Sequence, residues 1–499
     1  MTVLRTGAPS TDAQQWDQIN WKLVYAQVYR LQTRIAKATR DKDWGKVKAL
    51  QHLLSRSFYA KLVAVKTVVS NKGSRTPGID GVKWTSPTQR WRAARQLKAK
   101  GYRAQPLRRI YIAKKNGKQR PLGIPTLHDR AMQALYALGL KPIAETTGDA
   151  HSYGFRRWRS LHDAVKYTFV TLARKASAPW VLEADIKGCF DNISHDWLLN
   201  NIPLPRKILG QWLKSGYMEA STLHETDRGT PQGGIISPIL CNMTLDGLQD
   251  LVTVGRNKKL RKLNVVRYAD DFIITAATPA ILQDMIRPDL DAFLADRGLT
   301  LSAEKTQISH IDQGFDFLGF HFRKHKGKLL TKPSKLKARE LLDKVRHCLN
   351  TFRGVPFHVL LLQLNSILRG WAYAHRKVVA KRLMVQLDNT VFENICHWLR
   401  REHRKKTWGW ICKRYRKRIN DRWCFASCYS TATVKSKLVV LFRMCDLPIR
   451  YHTKIRTDTN PFDPGDQEYY DQRKKRMARE RFADRCFLNT PSFDRWVSA

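Results

Sequence analysis

The stretch Val265-Val266-Arg267-Tyr268-Ala269-Asp270-Asp271-Phe272-Ile273-Ile274 decides the fold. Apolar and β-branched residues on both sides of the aspartate pair predict two strands, with Asp270 and Asp271 at or near a hairpin turn. Like charges buried side by side are costly unless a cation lies beside them. Mg²⁺ is the simplest such cation because it prefers oxygen ligands. The alternative for an isolated aspartate pair is two solvated turn residues.

A third carboxylate lies upstream in a matching context. Residues 180–186 (Trp-Val-Leu-Glu-Ala-Asp-Ile) read as a strand that ends at Asp185. Three carboxylates at strand ends are the minimum set for holding two metal ions about 3.5–4 Å apart. Such a pair of ions clamps the attacking and leaving oxygens of phosphoryl or nucleotidyl transfer, so the pattern favours that chemistry over solvated turns.

The charge indicates the partner. The 499 residues include 90 Lys and Arg against 42 Asp and Glu, a formal net charge of +48. Such an excess is self-repulsive and implies a polyanion, RNA or DNA, bound with strong salt dependence. No apolar run is long enough to span a bilayer, and residues 1–7 lack the apolar core of a signal peptide. We therefore expect no membrane association and a cytoplasmic location.

The nine cysteines are scattered and do not suggest a disulfide framework, since an intracellular protein keeps its thiols reduced. Only Cys424 and Cys428 have a spacing that could suggest zinc, with Cys445 and His452 as further ligands in principle. Reduced core cysteines are the favoured interpretation.

The first two thirds of the chain mix helices and strands. Helical periodicity runs from Trp16 to about Ser70, and a loop rich in Gly, Pro, Asn and Asp follows to Gly81. Residues 106–125 predict a β-hairpin with its turn at Asn116-Gly117. A helix is expected over 128–140, and the mixed pattern continues to about residue 322.

The pattern changes near Lys332-Pro333. From there to about residue 422 we expect long basic helices and no strand, and from Trp423 a small mixed segment ending in a basic helix around residues 472–476. Residues 395–422 hold 11 Lys and Arg against two acids. They are interleaved with Trp398, Trp408, Trp410 and Tyr415, a mixture suited to a nucleic-acid surface because aromatic rings stack on bases. A solvated helix face is the alternative.

Seven ordered blocks carry a resemblance to a known family. They are residues 108–125 (RRIYIAKKNGKQRPLGIP), 152–156 (SYGFR), 185–193 (DIKGCFDNI), 229–238 (GTPQGGIISP), 268–271 (YADD), 301–306 (LSAEKT) and 315–320 (FDFLGF). Because the seven blocks occur in the order that this family has, the chain resembles a bacterial group II intron-encoded reverse transcriptase/maturase over nearly its whole length.

The resemblance implies an α+β right-hand polymerase fold: fingers, a palm with an antiparallel sheet, an all-helical thumb and a small basic C-terminal DNA-binding region. The expected bounds are an N-terminal helical extension over 1–80, fingers and palm over 81–332, a thumb or maturase domain X over 333–422, and the DNA-binding region over 423–499. The thumb is centred on Leu364-Asn365-x-Ile367-x-Arg369-Gly370-Trp371.

The same resemblance assigns the chemistry. Asp185 and Asp270 would bind two Mg²⁺ ions, Asp271 would complete the site, and the Ile186 carbonyl would add an oxygen. Lys305 resembles the lysine that neutralises or protonates the pyrophosphate leaving group. A plain surface lysine is the alternative for that residue.

The nucleotide-binding residues follow from the same blocks. Phe190 occupies the sugar-discriminating position, where a ring would clash with a 2′-hydroxyl, and core packing is its alternative. Lys118 and Arg120 resemble the finger residues that bind the triphosphate of the dNTP. The alternative for these two residues is solvated charge on the hairpin. Gln232 and Gly233 would contact the nucleotide, and a plain glycine-rich turn is the alternative. Residues 317–319 resemble the turn that holds the primer 3′ end.

The implied partners are group II intron RNA in a ribonucleoprotein, target DNA, and the template RNA–DNA primer duplex. Two departures bear on maturase activity: Trp158 stands where the family has Gly, and Tyr373-Ala374 replaces Asn-Tyr. The sequence also lacks the paired Cys-x-x-Cys motifs and His-rich core of an HNH endonuclease, so we expect no DNA cleavage by the protein.

Two rival functions share parts of this pattern. A non-catalytic RNA-binding splicing factor need not retain three costly carboxylates, so Asp185, Asp270 and Asp271 argue against it. A host-recruited reverse transcriptase in defence or repair would share every motif, and genomic context alone would separate it. A viral RNA-dependent RNA polymerase is disfavoured by Phe190 and the maturase-like thumb.

Overall fold

The computed structural model describes residues 11–113, 117, 119–220, 222–231, 233–419, 421–430 and 436–488, the side chains of 485–488 excepted. The contacts divide the chain into two compact units that interleave along the sequence. Unit 1 contains residues 1–164, 178–308 and 455–468, and unit 2 contains 165–177, 309–454 and 469–499. The four domain bounds expected from the sequence remain a prediction.

Unit 1 begins with amphipathic helices, as the periodicity predicts. In the second of them Val24, Val28 and Ile35 lie on one buried face, and the Asn20 side chain caps its first turn by accepting from the Leu23 amide. The helices up to residue 295 are α1 Asp12–Asp17, α2 Trp21–Arg40, α3 Trp44–Arg56, α4 Phe58–Val69, α5 Pro87–Gln96, α6 Leu127–Thr147, α7 Leu161–Leu172, α8 Cys189–Asn192, α9 His195–Asn201, α10 Arg206–Leu213, α11 Ser237–Leu245, α12 Leu248–Thr253, α13 Lys258–Arg261 and α14 Arg287–Ala295. Helix α14 continues a π-helical turn over Ile281–Ile286, and α7 passes into unit 2 at residue 165.

Helix α6 is the centre of the unit 1 core. It contains the helix expected over 128–140 and is longer, and from Leu127 to Leu140 every residue except His128 is buried. A helix that is buried on all sides is one that other elements surround. Helices α2, α3 and α4 pack against it.

Two four-stranded sheets complete unit 1. The predicted hairpin is confirmed as β1 Leu107–Ala113 and β2 Gln119–Ile124, in a sheet of order β2-β1-β4-β5 with β4 Tyr217–Glu219 and β5 Thr222–His224. The second sheet has the order β6-β7-β3-β8, from β3 Trp180–Asp185, β6 Asn264–Tyr268, β7 Asp271–Ala276 and β8 Gln307–His310. Its β6-β7 and β7-β3 pairs are antiparallel.

Residues 455–468 belong to unit 1 although they lie far along the chain. The Ile455 amide donates to Asp163 Oδ1 at 2.7 Å, and Asn460 Nδ2 donates to Thr146 Oγ1 at 2.9 Å. These bonds attach the segment to α7 and α6. Unit 1 is therefore built from three separate stretches of chain.

Unit 2 combines helices with two three-stranded sheets. Its elements are β9 Phe315–Phe317, β10 Phe320–His325, β11 Lys328–Pro333, α15 Lys335–Thr351, α16 Phe357–His375, α17 Lys381–Glu402, α18 Trp408–Tyr415, β12 Arg416–Ile419, β13 Arg422–Tyr429, β14 Lys437–Val440 and α19 Gln467–Leu488, which starts in unit 1. The sheets have the orders β11-β10-β9 and β12-β13-β14. Residues 165–177 attach to unit 2 where Lys324 Nζ donates to Arg174 O and Ser177 Oγ, both at 2.8 Å.

The long helical region is confirmed from Lys335 to Tyr415 and differs at its end. Residues 416–419 form strand β12, which pairs with β13, so the expectation of helix without strand up to residue 422 is wrong there. Arg416 pairs with Phe425, and Ile419 pairs with Arg422. Burial of the Phe425 and Ile419 side chains stabilises this strand pair more than helix propensity would stabilise a helix.

The cysteines divide by burial. Cys189, Cys241, Cys348, Cys396 and Cys445 are buried, Cys412 and Cys424 are half-buried and Cys428 is exposed, so core packing accounts for five of these eight. Cys424 and Cys428 lie four residues apart on β13, about 13 Å along an extended strand. That distance is too long for two thiolates on one zinc ion. Among the described residues, no helix is long and apolar enough to cross a membrane.

Candidate active site

The Asp270–Asp271 turn is a tight hairpin between β6 and β7. Tyr268 and Asp271 are the last register pair, so Ala269 and Asp270 alone form the loop. Ala269 has a φ of +58°, a left-handed conformation that costs a non-glycine residue roughly 1–2 kcal/mol. The prediction that the aspartate pair lies at a hairpin turn is confirmed.

Asp185 lies beside this turn at the end of β3. It is the register partner of Asp271 on the adjacent antiparallel strand. The next residue, Ile186, bridges to Leu301 through bonds from Ser302 N to Asp185 O (2.8 Å) and from Lys187 N to Thr300 O (2.9 Å). The carbonyl of Ile186 is not among the atoms that close this bridge.

Lys305 contacts the carboxylates directly. Its Nζ donates to Asp185 Oδ2 at 2.7 Å, although the lysine side chain is 65% exposed. This hydrogen bond is the main cause that raises the pKa of Lys305, and the charges of Asp185, Asp271 and Asp270 act in the same direction. The ammonium is therefore positively charged at neutral pH and is part of the cluster rather than a distant surface charge.

The pKa values of Asp270 and Asp271 are both raised, so both carboxyl groups ionise less readily than usual. Burial is the main cause that raises the pKa of Asp270, with Asp185 adding to it while Arg120 and Lys305 oppose it. Burial, then Asp270 and Asp185, raise the pKa of Asp271 to about 7, and a hydrogen bond shared with Asp185 contributes. Carboxylates this close repel each other, and a cation relieves the repulsion.

The donor set fits a hard divalent metal. Carboxylates of Asp185, Asp270 and Asp271 and the carbonyl of Ile186 are all oxygen ligands, as Mg²⁺ prefers. Within the described ranges, no three His, Cys, Asp or Glu side chains already form a metal cage. The Lys305 ammonium donates to Asp185 Oδ2, so it competes with a metal ion for that oxygen.

A glycine backbone packs directly against the turn. A Cβ on Gly154 would lie 2.4 Å from the Ala269 nitrogen. The Gly154 segment is held beside β6 by the bond from Tyr153 N to Arg267 O (2.9 Å), and Asn242 Nδ2 donates to Gly154 O at 2.8 Å. The 152–156 motif does not by itself predict this contact, since sequence distance does not reveal the approach of two backbones.

A buried arginine lies one residue before the turn. The Arg267 side chain is 1% exposed and forms an ion pair with Asp246, with Asp149 at 3.9 Å. Burial is the main cause that raises the pKa of Asp246 to about 6, and Arg267 opposes it. No sequence motif pointed to Asp246, because its partner is known only from the fold.

Phe190 is half-buried on α8. Its ring meets the ring of Phe155 edge-on, with centroids 6.3 Å apart, and Phe155 is 55% exposed. The Phe190 carbonyl accepts from Thr230 N at 2.6 Å, which joins α8 to the 229–238 block. Phe190 also packs on the core, so both of its expected roles remain compatible with its position.

The remaining nucleotide-binding candidates divide by where they lie. Arg120 is exposed on β2, and its charge lowers the pKa of Asp270, which places it within electrostatic range of the turn. Gly233 has a φ of +122°, and a Cβ there would lie 2.7 Å from Gly123 O, so this loop packs closely on β2. Lys118 and Gln232 lie outside the described residues.

The departure at Trp158 has a backbone consequence. Trp158 adopts a φ of +66°, a left-handed conformation that favours glycine. The tryptophan therefore bears a conformational cost that a glycine at this position would avoid.

In unit 2, the basic aromatic segment is only partly a surface. Trp410 is 36% exposed and lies within a cluster with His403 and Tyr415, and Arg400 lies over the Trp408 ring at 4.7 Å. Trp398 is 6% exposed and stacks on Phe357. Its assignment to a nucleic-acid surface is wrong, because its apolar face belongs to the core of α16 and α17.

Comparisons with known proteins match the chain over three ranges. Residues 112–322 match the reverse transcriptase (RNA-dependent DNA polymerase) family, 16–97 match the N-terminal domain of reverse transcriptase, and 338–416 match the group II intron maturase-specific domain. The chain is 33% identical over 442 residues to the group II intron-encoded protein LtrA of Lactococcus lactis subsp. cremoris, covering 73% of this chain and 72% of that protein.

Two further relatives are more distant. Protein YkfC of Escherichia coli is 31% identical over 299 residues, which cover 51% of this chain and 78% of YkfC. The putative COX1/OXI3 intron 1 protein of Saccharomyces cerevisiae is 27% identical over 307 residues, which cover 50% of this chain and 36% of that protein.

Proposed function

Since the chain belongs to the family of group II intron-encoded reverse transcriptases with a maturase domain, we propose that Asp185, Asp270 and Asp271 form its catalytic centre. The chain is an RNA-directed DNA polymerase, which extends a DNA primer on an RNA template. One observation carries the assignment of residues: Asp185 and Asp271 face each other across two strands, beside the turn that contains Asp270.

Asp185, Asp270 and Asp271, with the Ile186 carbonyl, would hold two Mg²⁺ ions. Metal bound there would supply Lewis-acid activation of the primer 3′-hydroxyl and charge neutralisation for the pyrophosphate. The register of β3 and β7 fixes where the carboxylates stand, so a primer end and an α-phosphate bound there would be oriented by a rigid sheet edge. The tight turn limits how far Asp270 can move away.

Lys305 has two roles in this proposal. Before the reaction its ammonium neutralises Asp185, which reduces the repulsion among the three carboxylates. When that contact opens, the flexible and exposed side chain carries its positive charge and its protons toward the pyrophosphate oxygens. This position accounts for a lysine that is both exposed and bonded to a catalytic carboxylate.

Nucleotide selection is assigned to the surrounding loops. Phe190 would lie against the sugar and exclude a 2′-hydroxyl, and Arg120, with Lys118, would bind the triphosphate of the dNTP. Gln232 and Gly233 would line the nucleotide, where the close approach of Gly233 to Gly123 leaves no room for a Cβ. Residues 317–319 would hold the primer end.

The second activity is binding of RNA by the maturase region. RNA is the partner class of this family, and the net charge of +48 fits a polyanion. We assign to this chain the binding of group II intron RNA to assist splicing, reverse splicing and retrohoming, as well as contacts with target DNA and the template–primer duplex. A cytoplasmic location stays a prediction.

A separation-of-function experiment tests the assignment. Asp270→Ala and Asp271→Ala should abolish DNA synthesis on poly(rA)–oligo(dT) while RNA affinity stays near that of the wild type, because phosphate contacts elsewhere supply affinity. Asp284→Ala is the matched control, since Asp284 is an exposed aspartate of unit 1 away from the turn. Polymerisation retained by the double variant would refute the catalytic assignment.

A further inference from the structure

A buried histidine lies behind the glycine-rich block. His195 is the first residue of α9, is 5% exposed, and has its Nε2 2.9 Å from the carbonyl oxygen of Gly229. A carbonyl oxygen only accepts, so Nε2 carries a proton and donates it. Burial is the main cause that lowers the pKa of His195, which favours the neutral ring with one such proton.

Gly229 is fixed on a second side by α8. It has a φ of +84°, and a Cβ there would lie 2.6 Å from the Asp191 carbonyl oxygen, so its backbone rests directly on that helix. Its amide donates to Ile193 O at 2.7 Å. His195 thus holds from one side a backbone unit that α8 holds from the other.

The peptide group between Gly229 and Thr230, whose carbonyl His195 contacts, also reaches Phe190. Thr230 N donates to the Phe190 carbonyl at 2.6 Å, and the Phe190 ring meets Phe155 edge-on. A continuous path of hydrogen bonds therefore runs from the His195 ring through Gly229 and Thr230 to the backbone of Phe190.

We propose that His195 is a positioning residue for nucleotide selection: its ring holds Gly229 and Thr230 against α8, and this sets the position of the Phe190 ring. His195 acts through these neighbours and contacts no nucleotide itself. The inference rests on the proposed function, in which Phe190 excludes the 2′-hydroxyl.

A purely structural histidine predicts a different result. If His195 only stabilised the fold, its loss would lower the amount of active enzyme and leave substrate preference unchanged. If it positions Phe190, its loss should lower the ratio of kcat/KM for dTTP over UTP by about threefold to tenfold, the factor that one hydrogen bond corresponds to. The KM for dTTP should rise more than kcat falls.

The variants His195→Ala, His195→Gln and His195→Asn are compared on poly(rA)–oligo(dT) with dTTP and with UTP. The amide of the longer Gln can donate where Nε2 does and should restore most of the ratio, whereas the shorter Asn falls short and should behave like Ala. Asp196→Ala is the matched control, because Asp196 is the exposed neighbour on the same helix. It should keep the wild-type ratio.

Phe190→Val separates the two levels of the proposal. If this variant keeps the wild-type ratio, the sugar-selecting role of Phe190 fails, and the His195 inference fails with it. If Phe190→Val shifts the ratio while His195→Ala and His195→Asn keep the wild-type ratio, the His195 inference alone is overturned. Should His195→Ala fail to fold by circular dichroism, equal ratios for the Gln and Asn variants overturn it.

Discussion

Asp185 and Asp271 are register partners on neighbouring antiparallel strands, so two acidic side chains stand directly opposite each other at one sheet edge. Like charges in this relationship destabilise a sheet. The protein tolerates the arrangement with Lys305 as the cation that bonds to Asp185. The opposed carboxylates at this edge therefore lower the stability of the fold while serving the proposed reaction, and the loss of stability can be measured.

Asp271→Asn should make the protein more stable and inactive. At a pH above the raised pKa of Asp271, which is about 7, removing one of two opposed charges is expected to raise the free energy of unfolding by about 0.2–1 kcal/mol, while DNA synthesis is lost. Urea denaturation in EDTA measures the first effect and primer extension the second. Asp284→Asn serves as the control; a less stable Asp271→Asn protein would show that the opposed charges are not repulsive.

Lys305→Ala should lower kcat and lower the Mg²⁺ concentration needed for half-maximal activity. The first effect follows from the loss of a proton donor to pyrophosphate, by about a hundredfold, and the second from the loss of a cation that competes for Asp185. Primer extension across a Mg²⁺ titration measures both, with the exposed Lys259→Ala as control. An unchanged kcat would leave Lys305 as a surface lysine.

Phe190→Val should raise incorporation of UTP relative to dTTP, because a smaller side chain leaves room for the 2′-hydroxyl. Phe155→Ala should shift the same ratio less, since it removes only the ring that contacts Phe190 edge-on. Single-nucleotide kcat/KM values measure both variants. If Phe190→Val changes stability but not the ratio, core packing is its role.

Gly154→Ala should inactivate the enzyme with a modest loss of stability. The added methyl would lie 2.4 Å from the Ala269 nitrogen and displace the turn that holds Asp270, at a cost of about 1–3 kcal/mol. Gly45→Ala is the control because its Cβ would meet only Asp43 Oδ1, at 3.6 Å. Primer extension and thermal melting measure the two effects, and a fully active Gly154→Ala enzyme would contradict the packing.

Asp246 should make stability depend on pH between about 4 and 6. Its folded pKa is raised from 3.8 to about 6, mainly by burial. The stabilisation that protonated Asp246 contributes is fully present below its unfolded pKa and is lost as pH rises through 6. The free energy of unfolding changes by up to about 3 kcal/mol over this range. Denaturation of wild type and Asp246→Asn across this range should show a shallower slope for the variant. Parallel slopes would contradict the prediction.

Sequence alone placed Asp185, Asp270 and Asp271, because each carboxylate ends or begins an apolar run and strand period is a local property. It also placed the β1–β2 hairpin and the long helices of unit 2. It did not find Gly154, His195 or Asp246, since each acts through a partner from a distant part of the chain. It misassigned Trp398, because helical spacing does not tell which aromatic residues face the core.

The interleaving of the two units has a consequence for how the protein can be divided. The chain passes between them five times, after residues 164, 177, 308, 454 and 468. A fragment ending at residue 308 would keep residues 165–177 without Lys324, and would lose the 455–468 segment that bonds to Asp163 and Thr146. The two units are thus not separable by one cut, and point substitutions, rather than truncations, are the means to study each proposed activity alone.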